Sequence, residues 1–175
     1  LPNAHWVAQY LTRRYFEVPE YIDFRARRFA SGDPTDWGTA PGKAKKDGNW
    51  MERIRGMKWW LDRYALASGC SRGRRASVHW WLLPKKIRDD EMGKLALSCG
   101  QIGILFQNEL YDVKSSSHAC PRLGNFGIDI GKNRVALYVE PNSGEGAATD
   151  TARSSVTIGR EQPPWAEWAE EFRNA

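Results

Sequence analysis

Residues 77–83 read SVHWWLL and are followed by Pro84, and this stretch decides the fold that the sequence predicts. Its β-branched, aromatic and leucine side chains and the proline that ends it are typical of a strand. Further along, residues 125–130 (NFGIDI) and 135–139 (VALYV) read as two more strands. The turn between them, residues 131–134 (GKNR), predicts an antiparallel hairpin.

Three stretches with helical periodicity surround these strands. Residues 51–68 repeat apolar side chains at steps of three and four, with Asp47 or Asn49 as cap and Gly69 at the end. A second helix is predicted from Asp89, and its apolar stripe is Met92, Leu95, Cys99, Ile102 and Phe106. A third begins at residues 163–164 (two prolines) and aligns Trp165, Trp168 and Phe172.

The remaining segments are shorter or less regular. Residues 5–11 read as a strand and residues 17–29 as a helix that opens at Pro19. Glycine, proline and small polar side chains predict loops at residues 30–49 and 141–155, and residues 71–76 read as a basic loop. Together the elements predict an α+β fold with an antiparallel sheet covered on one face.

Length and composition indicate one globular domain. The chain has 175 residues, 41% hydrophobic and 27% charged, which suits a single core. No run of 18 apolar residues is present and the first ten residues lack a secretory pattern. We therefore expect no membrane attachment, and either a location in the cytoplasm or nucleus or a protein whose targeting segment is missing.

Charge is divided unevenly along the chain. Residues 1–88 hold 18 basic and 8 acidic side chains, whereas residues 89–175 hold 8 and 13. A basic half of this kind favours either a polyanionic partner or a plain solvated surface. Three cysteines without a C-x-x-C pair argue against a disulfide framework or a structural zinc site.

Signals of catalysis are missing from the sequence. His5, His79 and His118 are too scattered to indicate a metal triad, and no nucleophile elbow, phosphate loop or zinc-protease motif occurs. We expect no catalytic residues, no metal and no cofactor. The aromatic side chains indicate a binding function instead of a catalytic one, because a base stacked on an aromatic ring gains about 1–3 kcal/mol.

Nine tryptophans stand out, and Trp37 and Trp50 are the two that fall in or beside the Gly/Pro-rich loop. An indole in a loop is either kept for a ligand or folded back onto the sheet. Lys132 and Arg134 lie in the predicted turn, where both can reach one phosphate chain.

The order of motifs resembles the cap-binding translation initiation factor 4E family. The matching pieces are SVHWWLL, LALSCGQIGILF, GNFGIDIGKNRVALYV and SSVTIGRE, with PNAHWVAQYL and IRGMKWWLDRYALASGC in the first half. The resemblance implies one cap-binding domain over residues 1–175, built as a single curved antiparallel sheet with about three helices on its convex face. It also implies a protein without enzymatic activity that binds the 7-methylguanosine cap of mRNA.

The resemblance assigns roles to particular residues. Trp37 would be one wall of the methylguanine slot, and Lys132 and Arg134 would contact the cap triphosphate. Under another alignment Trp50 and Glu52 would supply the stacking ring and the carboxylate instead. A helix of a scaffold initiation factor 4G-like protein or a 4E-binding protein would dock on the dorsal surface, at Trp59, Trp60, Leu95 and Cys99.

Two departures from the family keep an alternative open. The second stacking tryptophan and its adjacent glutamate should lie between Cys70 and Trp81, where the chain reads only SRGRRASVHW, and residues 12–35 resemble an insertion. The same aromatics and the basic first half also fit a general single-stranded RNA-binding domain without cap specificity.

Overall fold

A computed structural model of the chain describes residues 4–28, 50–85, 100–115 and 119–174. These residues form four α-helices: α1 (Ala4–Arg14), α2 (Met57–Tyr64), α3 (Cys120–Asn125) and α4 (Trp165–Asn174). The strands are β1 (Arg25–Arg28), β2 (Trp50–Arg53), β3 (Ala67–Arg72), β4 (Ala76–Leu82), β5 (Gln101–Phe106), β6 (Glu109–Ser115), β7 (Val135–Pro141), β8 (Ala147–Thr149) and β9 (Val156–Ile158). None of the helices in the described parts of the chain is both long and apolar enough to cross a membrane.

A five-stranded sheet in the order β3-β4-β7-β5-β6 forms the centre of the described fold. Neighbouring strands are antiparallel except for β5 and β7, which run parallel, with Gln101 opposite Ala136. Two small antiparallel sheets are separate from it in their hydrogen bonding, β1 with β2 and β8 with β9. The predicted α+β class and the mostly antiparallel sheet are confirmed, and the parallel pair is a departure from the prediction.

Helices cover both faces of the central sheet, whereas the sequence predicted cover on one. On one face Trp60 and Leu61 of α2 pack with Trp81 and Tyr138. On the opposite face Trp168 of α4 and residues of α3 pack with strand residues of the other parity, among them Val78, Leu137 and Val139. Because side chains alternate along a strand, an apolar residue at nearly every position of β7 requires cover on both sides.

Strand β5 replaces the end of a predicted helix. The sequence predicts Ile102 and Phe106 on a helical stripe with Met92, Leu95 and Cys99, but residues 101–106 are extended. Gln101 to Leu105 are all buried in the middle of the sheet. A short apolar run of this kind fits a central strand as well as a buried helix, and its neighbours in space decide. Residues 89–99 of the predicted helix lie outside the described residues.

The predicted hairpin at residues 125–139 is half wrong. β7 covers the second predicted strand, but the first is the end of α3 and an irregular segment, in which Ile130 is 94% exposed. Gly127 and Gly131 have φ of +76° and +73°, values that an extended strand does not contain. The turn is a 3-10 turn, Lys132–Arg134, that leads into β7 from α3.

The N-terminal predictions are exchanged between helix and strand. Residues 5–11 belong to helix α1, which buries Ala8 and Thr12 one turn apart. Residues 17–24 are irregular and Arg25–Arg28 is a strand that pairs with β2. Ile22, at the centre of the predicted apolar face, is 43% exposed, so the apolar spacing of this segment does not mark a buried helix face.

Other predictions stand closer to the structure. β4 confirms the strand at residues 77–83, and α4 begins directly after the two prolines, as predicted. The basic loop at residues 71–76 is the end of β3 and a tight turn into β4, and residues 141–155 contain β8. The loop predicted at residues 30–49 lies outside the described residues.

Candidate nucleic-acid interface

A turn at Gly56 places β2 and α2 side by side. Gly56 has φ +81°, and a Cβ at this position would lie 2.7 Å from the carbonyl oxygen of Phe16. The backbone N–H groups of Met57 and Lys58 donate to the carbonyls of Tyr15 and Phe16. Glycine is therefore required for the close approach that starts α2 beside the segment following α1. The predicted helix at residues 51–68 is accordingly a strand, a turn, a helix and the start of β3.

A cleft of about 270 Å³ lies at this junction. Its walls are an indole, two guanidinium groups, one carboxylate and two aliphatic side chains, from Trp59, Arg53, Arg55, Glu20, Val18 and Ile54. Ile54 is fully buried beneath the cleft, and its N–H donates to the carbonyl of Phe24 at 2.7 Å. Nη2 of Arg53 donates to the carbonyl oxygen of Glu20 at 3.0 Å. This hydrogen bond joins β2 to the segment that follows α1.

Two arginines approach the Trp59 ring. The guanidinium carbon of Arg55 lies 4.1 Å from the ring centre and that of Arg63 lies 5.4 Å from it. Cation–π contacts of exposed side chains gain about 0.5–1 kcal/mol each, which orients the guanidinium groups without burying them. The result is a partly exposed aromatic ring with cations at its side.

The helix that carries Trp59 is fixed to the sheet through Asp62. Oδ2 of Asp62 accepts from Nζ of Lys58 at 2.6 Å, and Oδ1 accepts from Nε1 of Trp81 at 2.7 Å. The hydrogen bond with Asp62 raises the pKa of Lys58, against a smaller opposing effect of burial. Trp59 therefore stands on a helix that is tied to β4 through Asp62 and Trp81.

Trp59 and Trp60 differ in their surroundings, although the resemblance gave both to a protein partner. Trp60 is 5% exposed and packs in the core with Met57 and Leu61. Its ring lies parallel to that of Tyr64 with centroids 6.2 Å apart. The expectation that Trp60 lies on an open docking surface is therefore wrong, because its position on α2 faces the sheet.

Lys132 and Arg134 occupy a different setting from the predicted hairpin tip. Nζ of Lys132 lies 3.4 Å from Oδ1 of Asp129, and Nε of Arg134 donates to the carbonyl of Leu83 at 2.9 Å. Arg134 thus joins the start of β7 to the end of β4. Neither side chain lines the cleft at Trp59.

The other predicted site residues are described in part or not at all. Trp50 and Glu52 lie on β2, where their backbones pair with Arg28 and Ala26. Trp37, Leu95 and Cys99 lie outside the described residues, so their predicted roles stay predictions.

Sequence reasoning missed Glu20, Arg53, Arg55 and Arg63. The signal was present in residues 53–55 (RIR), where a buried isoleucine stands between two cations. That alternation indicates extended chain, in which residues two apart share a side. Reading the segment as one long helix separated Arg53 from Arg55 by about 200° around the helix axis.

Comparison of the chain with models of known families, with curated proteins and with solved structures gave no match. Within the described residues, no group of three or more His, Cys, Asp or Glu side chains is placed to hold a metal ion. Function is therefore inferred from the chemistry of the cleft itself.

Proposed function

We propose that this protein binds single-stranded RNA at the cleft formed by β2 and α2. The observation that carries the proposal is the partly exposed ring of Trp59, with Arg55 4.1 Å from its centre and Arg53 in the same wall. An aromatic platform beside guanidinium groups is the arrangement that single-stranded nucleic acid uses, with bases on the ring and phosphates on the cations. Glu20 adds a carboxylate that can accept from the amino or imino groups of a base.

Cap recognition is the second, narrower proposal, with the protein acting as a translation initiation factor. It is supported by the resemblance and by Trp50 and Glu52, which share the four-residue strand β2 with Arg53. Trp50 and Glu52 are two residues apart on β2, the spacing that puts two residues on the same side of an extended strand. The proposal includes a curved central sheet that carries the cap on its concave side.

A scaffold-protein helix would compete with RNA under this arrangement. Trp60 is buried and Trp59 is partly exposed, so Trp59 is the tryptophan of this pair that a partner can reach. We therefore propose that an initiation factor 4G-like helix, if it docks here, releases RNA from the cleft rather than binding together with it.

Fluorescence anisotropy with a labelled 12-nucleotide RNA tests RNA binding. Trp59→Ala is expected to weaken binding about 5- to 150-fold, the value of one base–aromatic stack. Arg55→Gln is expected to weaken binding and to lower the slope of log affinity against log salt concentration by about 0.7. Arg173→Gln is the matched control, because Arg173 is an exposed arginine on α4, a helix of the opposite sheet face. Equal affinities for all four proteins would refute the proposal.

Competition by 7-methylguanosine triphosphate and by unmethylated GTP separates the two candidates. Strong preference for the methylated nucleotide, lost in Trp50→Ala, supports cap recognition. Equal competition by both nucleotides supports general binding of single-stranded RNA.

A further inference from the structure

Three arginines of β1, β2 and the turn that follows β2 form a cluster beside the cleft at Trp59. Arg25 of β1 is the direct cross-strand partner of Arg53 of β2. Directly opposed residues of an antiparallel pair share a face, with Cβ atoms about 4.5–5.5 Å apart. Arg55 follows Arg53 by two residues, the spacing of one side of an extended chain, and both arginines line the cleft. Arg25, Arg53 and Arg55 are called the arginine cluster below.

One carboxylate compensates part of the charge of this cluster. Nε of Arg25 donates to Oδ1 of Asp23 at 2.6 Å, and Nη2 of Arg25 lies 2.6 Å from Oδ2. A single guanidinium thus contacts both carboxylate oxygens, which is the geometry with which arginine also binds a phosphate. Like charges placed directly opposite each other destabilise a strand pair, so an anion beside Arg25 and Arg53 is stabilising. In the described structure Asp23 supplies such an anion.

The ion pair of Asp23 and Arg25 is open to exchange. The two side chains are 56% and 41% exposed, and ion pairs between exposed side chains contribute little to stability and are screened by salt. Asp23 precedes β1, so a rotation of its side chain releases Arg25 without breaking the pairing of β1 with β2. An anion that is already held nearby can therefore take the place of this carboxylate.

We propose that the arginine cluster is a subsite for one backbone phosphate of the RNA, which displaces Asp23 from Arg25. The inference rests on the proposed binding of RNA at Trp59. A base stacked on that ring holds the adjoining phosphates close to the cluster, so the exchange takes place within one complex. Asp23 occupies Arg25 in the free protein and lowers the affinity for RNA. The subsite thereby favours polynucleotides over molecules that stack on the ring without a phosphate.

Removal of the Asp23 charge tests this proposal in the anisotropy assay with the same labelled RNA. Asp23→Asn is expected to strengthen binding about two- to fivefold, the value of one exposed ion pair. Arg25→Gln is expected to weaken binding by a similar factor. In the Arg25→Gln background the Asp23→Asn change has no effect, because the gain requires the released guanidinium. Both positions are exposed, and thermal unfolding verifies that each variant keeps its fold.

Glu170→Gln is the matched control for the change in net charge. It removes one exposed negative charge from α4, the helix on the opposite face of the central sheet. Binding by this variant is expected to equal that of the wild type. An equal gain in Asp23→Asn and Glu170→Gln would overturn the subsite, and so would no gain in Asp23→Asn. A gain that persists in the double variant with Arg25→Gln would overturn it as well.

Two further results separate this inference from its neighbours. Loss of affinity in Trp59→Ala together with unchanged affinity in Asp23→Asn and Arg25→Gln overturns the subsite and leaves RNA binding standing. Wild-type affinity in Trp59→Ala refutes the proposed function itself. Inorganic phosphate is compared with chloride at equal ionic strength as a competitor of RNA. Displacement by phosphate from the wild type but not from Arg25→Gln would assign the cluster to a free anion rather than to the RNA backbone.

Discussion

Adjacent residues of the same type can differ in burial, as Trp59 and Trp60 illustrate. Successive positions on a helix point about 100° apart, so only one of two neighbouring tryptophans can face the sheet. Trp60 faces it and is buried, whereas Trp59 stays partly exposed between Arg55 and Arg63. Nε1 of Trp60 has no acceptor among the described residues, so packing rather than hydrogen bonding holds the ring.

The buried Tyr138 makes the free energy of unfolding depend on pH. Complete burial raises the pKa of its phenol, whose oxygen accepts from Nε2 of Gln101 at 2.8 Å. In the unfolded chain the tyrosine pKa is about 10. Above that pH the unfolded state loses the proton that the native state retains, so stability is fully present below pH about 10 and falls as pH rises.

Tyr138→Phe is therefore expected to flatten the decline of the unfolding free energy above pH about 10. At pH 7 the variant loses about 1–3 kcal/mol, because the buried Gln101 amide is left without its acceptor. Urea unfolding between pH 7 and pH 11 measures both effects. If the unfolding free energy of the variant declined with pH as steeply as that of the wild type, Tyr138 would not be the cause of the decline.

At the scale of elements, the junction of β2 and α2 sets the geometry of the cleft. Only residues 54–56 separate the strand from the helix, and the positive φ of Gly56 turns the chain between them. The turn brings the end of β2, with Arg53, against the first turns of α2, with Trp59. The backbone conformation of Gly56 thereby determines that Arg53 lies in the same cleft as the Trp59 ring.

Gly56→Ala is expected to destabilise the protein by about 1–3 kcal/mol, since the left-handed conformation and the contact with Phe16 both oppose a Cβ. The distortion also moves Trp59 relative to Arg53, so RNA binding weakens in the same variant. Gly144→Ala is the control, because nothing lies within 4 Å of a Cβ at that position, and it should change stability by less than about 0.5 kcal/mol. Equal unfolding free energies for both variants would show that the turn has no special requirement.

At the scale of the whole molecule, distant parts of the chain are joined around Glu109. Its Oε2 accepts from Arg14 of α1 at 2.6 Å and from the Tyr111 hydroxyl at 3.0 Å, and its Oε1 accepts from Arg153 at 2.8 Å. The guanidinium of Arg14 also lies 4.1 Å from the centre of the Tyr111 ring. The carboxylate, 14% exposed, thus links α1, β6 and the loop between β8 and β9.

Glu109→Gln is expected to cost about 1.5–3 kcal/mol of unfolding free energy, chiefly because the mostly buried Arg14 loses its counter-charge, while the more exposed Arg153 contributes less. The exposed pair of Asp23 and Arg25 provides the control, and Asp23→Asn should cost less than about 1 kcal/mol. Chemical unfolding at low and at high salt measures both. A loss no larger in Glu109→Gln than in the control would mean that the network is not stabilising.

Local sequence patterns determined the secondary structure of segments whose pattern fits only one kind of element. The run SVHWWLL before a proline predicted β4, the two prolines before an amphipathic stripe predicted α4, and the mixture of strand and helix patterns predicted an α+β fold. Tertiary contacts decided the rest. Residues 101–106 are a strand because β6 and β7 pair with them on both sides, and residues 25–28 are a strand because β2 does. Arg53, Arg55 and Trp59 became one cleft through a glycine turn held against Phe16. The physical reason is that hydrophobic periodicity records which residues are buried, whereas pairing partners and the direction of a turn depend on segments far away in the chain.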